Sequence, residues 1–233
     1  MVSEYDSLRR IIPALAISAI GALFYNILPL YVGAAQDGLG LSMSEVGLLP
    51  GAFFAGYNLA TLGAFFWIRR WNWRAATAIW LPIAVLGLLG SITMPGRWGL
   101  FLSTAISGGG FAVLYGIGTT ILADTSNPAR WYGVKIAVEA MPGAALLFIL
   151  PSTLVAQYGF AGVVYALAGV SLLLAFFLPT LPASSDIEHV NAGHYVQPRM
   201  PRKGMNRFAI WLALFGTLLF FSAASGLWAF IER

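Results

Sequence analysis

Long apolar runs, each bounded by a short polar or turn-forming segment, repeat along the whole chain. They cover residues 11–33, 46–68, 75–94, 98–123, 131–156, 160–181 and 208–231. A bilayer core of about 30 Å requires about 20 apolar residues per helix, so each run is predicted to be a transmembrane helix. The links between the first six are short and turn-like, with Asp37-Gly38, Pro95-Gly96, Asn127-Pro128 and Tyr158-Gly159 among them. Short links make consecutive helices antiparallel. Backbone polar groups must be satisfied inside lipid, so the pattern predicts an α-helical bundle. The first run is read as a retained helix and not as a cleaved leader. Ile11 to Gly33 exceeds the length of a leader's apolar region and carries Asn26 and Pro29.

The sixth link is different. Residues 182–207 form a long polar linker that ends in Arg199, Arg202, Lys203 and Arg207. The expected organisation is therefore a six-helix bundle over 1–181, a linker over 182–207 and a seventh transmembrane helix within 208–233. His189 and His194 lie in the linker without a Cys or a carboxylate at ligand spacing, so it is read as solvated chain and no metal is expected.

Composition supports the membrane reading. Apolar residues make up 59% of the chain and charged residues 9%, with a mean hydropathy of +0.79, whereas soluble domains carry about 25% charged residues. The thirteen Lys and Arg supply orientation. Arg9, Arg10, Arg69, Arg70, Arg74, Arg130, Lys135 and the linker cations fall on one side, and Arg97 and Arg233 on the other. By the positive-inside rule the N-terminus and the linker are cytoplasmic. The basic clusters are short and juxtamembrane, so they point to topology and anionic lipid instead of nucleic acid. With no cysteine in the chain, disulfides, thiolate metal sites and Cys nucleophiles are excluded.

Two kinds of residue interrupt the apolar pattern. Gly47, Gly51, Ala55 and Asn58 share one face of the second span, and Gly108-Gly109-Gly110 sit in the fourth. Small residues let helices approach closely in lipid, and each glycine costs about 1 kcal/mol of helix propensity. Close packing, or bending during a functional cycle, is expected in return. Glu139 is the acidic residue set well inside a span, with Lys135 at i, i+4 on the same face. Ionisable residues at membrane depth are candidates for function. Two readings stand: a proton, cation or substrate site, and an ion pair that lets both residues sit inside the bundle. Pro142-Gly143 follows and is expected to kink the helix and free a carbonyl. A second polar layer comprises Ser18, Tyr25, Asn26, Tyr57, Asn58, Tyr115, Thr119 and, in the seventh span, Phe221 with its neighbours. Trp67, Trp71, Trp73 and Trp98 lie near span ends and are read as an interfacial belt. No HExxH, GxSxG, P-loop or dinucleotide fingerprint occurs, so an enzyme and a cofactor are not expected.

Six closely spaced helices, a long cytoplasmic loop and the start of a second set resemble the major facilitator superfamily of secondary transporters. The closest text is GLLPGAFFAGYNLATLGAFFWIRRWNWR at Gly47 to Arg74, which looks like the family's second helix running into its basic loop. This sequence departs from the loop motif at Arg69, where an acid would stand, at Asn72, where a glycine would stand, and at Trp73. Arg70 and Arg74 match. Thr104 replaces the buried Arg of many proton-coupled members.

The resemblance implies a twelve-helix transporter for a small organic solute, bound between two pseudo-symmetric halves. Tyr25, Asn26, Tyr115, Glu139 and Phe221 would line the site, and Arg69, Arg70 and Arg74 would belong to the gating loop. On this reading the chain is a truncated or fragmentary transporter in a plasma membrane of bacterial inner-membrane type. A separate C-terminal half, or a second copy, would complete it. The alternative is a non-catalytic membrane subunit that completes a complex with a partner chain. A retinal protein is disfavoured because the seventh span carries no lysine.

Overall fold

A computed structural model describes residues 7–184 together with Leu212, Phe215, Gly216 and Leu219. The chain divides into two compact units, Met1–Ser185 and Asp186–Arg233. The seventh span, apart from those four helical positions, lies outside the described residues, as do Phe221 and the linker from 185 onward.

The first unit is helical throughout, with no strand among the described residues. Its order is α1 (Leu8–Asn26), α2 (Leu28–Leu39), α3 (Met43–Trp67), α4 (Trp73–Thr93), α5 (Gly96–Ala123), α6 (Pro128–Ile149), α7 (Leu154–Tyr158) and α8 (Phe160–Ala175). Five of these, α1, α3, α4, α5 and α6 with its 3-10 extension to Ser152, are long and apolar enough to cross a bilayer. Large apolar side chains cover the outside, including Leu59, Leu62, Phe65, Phe66, Phe148 and Phe176. An apolar exterior of this extent belongs in lipid. The protein is membrane-embedded.

Three boundaries differ from the sequence expectation. The run 11–33 is two helices, broken at Ile27. Pro29 has no N–H for the carbonyl of Tyr25, so the helix ends and restarts with proline in its first turn. The run 131–156 is helical only to Ile149, after which Pro151 sits in a 3-10 turn. The run 160–181 keeps helix for 16 residues before closing in turns. By contrast, α6 is continuous across Pro142.

α5 is the centre of the bundle, packed against α1, α3, α4 and α6. Phe111 on α5 meets Phe24 on α1 at 5.8 Å between rings, and Phe24 in turn meets Phe53 and Tyr31 at 4.7 Å. The triple glycine is explained by contact on two sides. A Cβ on Gly108 would lie 2.5 Å from the Phe53 carbonyl oxygen on α3, and one on Gly110 would lie 2.7 Å from Ala84 Cβ on α4. These glycines serve packing.

The small-residue face on α3 behaves otherwise. Gly47, Gly51, Ala55 and Asn58 are exposed, and nothing lies within 4 Å of a Cβ on either glycine. The face that packs is Val46, Leu49, Phe53 and Gly56, and a Cβ on Gly56 would overlap the Ala105 carbonyl oxygen. α3 therefore touches α5 backbone to backbone along the heptad-like row 46, 49, 53, 56. The glycine-rich row next to it is left outward.

Trp73 also departs from expectation. It is 1% exposed, with Nε1 donating to the Ile68 carbonyl at 2.5 Å and its main-chain N–H donating to Ala183 O at 2.6 Å. Trp71 and Trp98 stand outward at 53% and 83%, as belt residues do.

Candidate functional site

The polar centre of the bundle is assembled from α1, α5 and α6. On α6, Lys135 and Glu139 are one turn apart and both buried, so their side chains leave the same face. Lys135 Nζ lies 2.8 Å from Glu139 Oε1. The same ammonium donates to Tyr115 Oη on α5 at 2.8 Å and sits 4.0 Å from the centroid of that ring. A carboxylate, a hydroxyl and a ring face thus receive one buried cation, which satisfies most of its donors.

α1 secures the carboxylate from the other side. Ser18 Oγ donates to Glu139 Oε1, and Asn26 Nδ2 donates to the main-chain oxygen of Glu139 at 2.8 Å. Gly143 makes the second contact possible, because a Cβ there would stand 2.5 Å from Asn26 Cβ. Pro142 removes one backbone donor from this turn, and the Asn26 amide brings one to it. Oε2 of Glu139 takes no hydrogen bond among the described residues. The group is net neutral, as a buried site must be if no charge is to be left uncompensated.

Aromatic rings border this centre. Tyr57 on α3 lies 6.4 Å from Tyr115, and Tyr25 meets Phe54 edge-on at 6.1 Å. Tyr132, about one turn before Lys135 and half-buried, donates to Thr119 O at 3.1 Å. The structure thus gathers Asn26, Tyr115, Lys135 and Glu139, and turns Tyr25 toward α3 beside them. Ser18 was legible as a polar residue on α1, but its bond to Glu139 was not. That bond depends on which helix faces α6.

The loop cations do not join this centre. Arg69 forms a two-pronged pair with Asp124 at the end of α5, Nη1 to Oδ2 at 3.2 Å and Nη2 to Oδ1 at 3.0 Å. The charge of Arg69 is thus balanced by a carboxylate from a different helix. Asn72 caps α4, its side chain accepting from the backbone of Arg74 and Ala75 at 2.9 and 3.1 Å. Arg74 Nε donates to the carbonyl of Leu181. Arg70 is exposed. At the opposite end Arg97 pairs with Glu45, so the parallel helices α3 and α5 carry an ion pair at each end of their contact. Thr104 is fully buried and shares a 2.9 Å hydrogen bond with Tyr31.

Arg69 is 43% exposed in this pair, so its energetic weight is small. Asp124→Ala is expected to cost at most about 1 kcal/mol, less in high salt. Unfolding midpoints of the variant at low and high ionic strength measure this.

No family model, curated protein or solved structure matches this chain. The functional reading therefore rests on the site itself. Among the described residues no group of His, Cys, Asp and Glu stands together as a metal site. The centre brings together a carboxylate, an ammonium, an amide and two hydroxyls inside an apolar bundle.

Proposed function

We propose that the chain is part of a major-facilitator-type secondary transporter for a small organic solute, with Glu139 as its coupling group. The observation that carries this is the buried Lys135–Glu139 pair, held by Ser18, Asn26 and Tyr115 from two other helices inside an otherwise apolar bundle. A buried ion pair of any role needs hydrogen bonds to its remaining lone pairs and protons. What supports a functional role is the cost of placing two ionisable groups at membrane depth at all. A site that must exchange a proton or a cationic ligand needs each state to be hydrogen-bonded.

In this reading the N-terminus is cytoplasmic, the membrane is a bacterial inner membrane, and six helices form one half of the transporter. The seventh span begins a second half that a longer or separate chain completes. Protonation of Glu139 releases Lys135, and the freed ammonium and hydroxyls take the solute. Tyr25 and Asn26 position it.

The test uses vesicles containing the full chain and any co-purifying partner. Uptake of labelled amino acids, sugars and organic cations is measured under an imposed pH gradient. At least one class is expected to enter above empty vesicles. Glu139→Gln should lower that uptake about tenfold, an effect of about 1.4 kcal/mol, and remove its pH dependence. Uptake that is unchanged by the substitution across pH would leave Glu139 a structural ion pair, and absence of uptake in every class would sink transport.

A further inference from the structure

Away from the polar centre, α4 and α8 leave a groove of about 300 Å³ on the surface of the bundle, at the end that carries Arg69, Arg70 and Arg74. Its walls are apolar: Ala78 and Leu81 on one side, Ala175, Leu178 and Leu181 on the other. Two polar groups interrupt them. Arg74 stands at the mouth, where its Nε bond to the Leu181 carbonyl fixes the guanidinium plane. The two terminal nitrogens make no hydrogen bond among the described residues. Thr77 lines the groove one turn along α4, is 6% exposed, and its hydroxyl has no partner. Buried hydroxyls are ordinarily hydrogen-bonded, since leaving one unmade costs about 1–3 kcal/mol. An unpaired hydroxyl beside an oriented guanidinium is a site for an oxyanion, and the apolar walls continue it into a site for a chain.

We propose that this groove binds an anionic phospholipid of the surrounding bilayer. The phosphate is held by Arg74 and Thr77, and the start of one acyl chain lies against Ala78, Leu81, Ala175 and Leu178. Charge decides the occupant. Arg69 is balanced by Asp124, whereas Arg70 and Arg74 are exposed and have no carboxylate partner among the described residues, which gives this end a positive field. An anionic leaflet is attracted by about 1 kcal/mol per basic residue. Geometry agrees, since the ligand must be polar at the helix ends and apolar toward mid-membrane, as a lipid is. A free phosphate would satisfy Arg74 and Thr77 but leave the apolar walls unused.

Native mass spectrometry of the delipidated full chain, titrated with phosphatidylglycerol or phosphatidylcholine, tests this. Wild type should retain phosphatidylglycerol in clear excess, and glycerol phosphate at equal concentration should not displace it. Arg74→Ala should lower retention about fivefold, the effect of one basic residue, and Thr77→Val should lower it by a smaller factor. Because Arg74→Ala also removes the bond to Leu181, Ala78→Trp is the second arm. It fills the groove, keeps the charge, and should abolish the preference. Arg97→Ala, at the other end, should leave it intact. Equal retention of both lipids, displacement by glycerol phosphate, or retention unaffected by Ala78→Trp would each overturn the proposal. The last outcome would place the retained lipid elsewhere on the protein.

Discussion

Lys135→Met is expected to destabilise the protein by about 3–5 kcal/mol, the cost of leaving one partner of a buried ion pair uncompensated. Lys135 and Glu139 are 3% and 8% exposed, so water cannot replace the lost ammonium. The remaining carboxylate must either stay charged in a medium of low dielectric or take up a proton. The double variant Lys135→Met/Glu139→Gln should recover most of the loss, because replacing both members of a buried pair is often neutral or stabilising. Thermal unfolding in one detergent gives the first comparison. Uptake gives the second and separates the two readings of the pair. If Glu139 couples transport, the double variant is stable and inactive. If the pair only seats α6 in the bundle, stability and uptake return together. A single Lys135→Met variant as stable as wild type would contradict the packing described here.

The second large effect concerns α3 and α5. Gly56→Ala should cost about 3 kcal/mol, at the upper end of ordinary overpacking. Its Cβ would overlap the Ala105 carbonyl, which is backbone and cannot rotate away. The helices would have to separate, and the contacts of Gly108 with Phe53 would open with them. Gly51→Ala, less than two turns away on the same helix, meets open space. It should be neutral or stabilising by up to about 1 kcal/mol from helix propensity alone. At about 2–4 °C per kcal/mol for a chain of this size, the two alanine variants should melt roughly 10 °C apart. Similar midpoints would mean that α3 packs through the Gly47–Gly51 face instead.

That contrast also shows where sequence reasoning stops. On α3 the row 47, 51, 55, 58 is the one whose small residues recur at helical spacing, while the row that packs, 46, 49, 53, 56, carries one glycine among larger side chains. Regularity states which residues share a face. It does not state which face is met by a neighbour. Trp73 is a similar case: its place at a span end matches an interfacial residue, yet Ala183, more than a hundred positions away, closes over it. Arg69 looked like a misplaced charge within its loop, and Asp124 at the end of α5 accounts for it.

The sequence by itself determined what depends on local composition. Helix-length apolar runs required membrane helices, the short turns required antiparallel neighbours, and i, i+4 spacing put Lys135 and Glu139 on one face of α6. These follow from the rise of a helix, the thickness of a bilayer and the need to satisfy every backbone polar group inside it. Only the tertiary structure decided which helices meet. It placed α5 at the centre, turned Ser18 and Asn26 of α1 toward Glu139, gave the Lys135 ammonium the Tyr115 ring and hydroxyl, and left Thr77 unpaired above an apolar groove. In lipid every helix surface is equally apolar, so no hydrophobic face marks the partner in advance. Close approach of backbones and the pairing of a few polar groups make that choice, and both are properties of the assembled bundle.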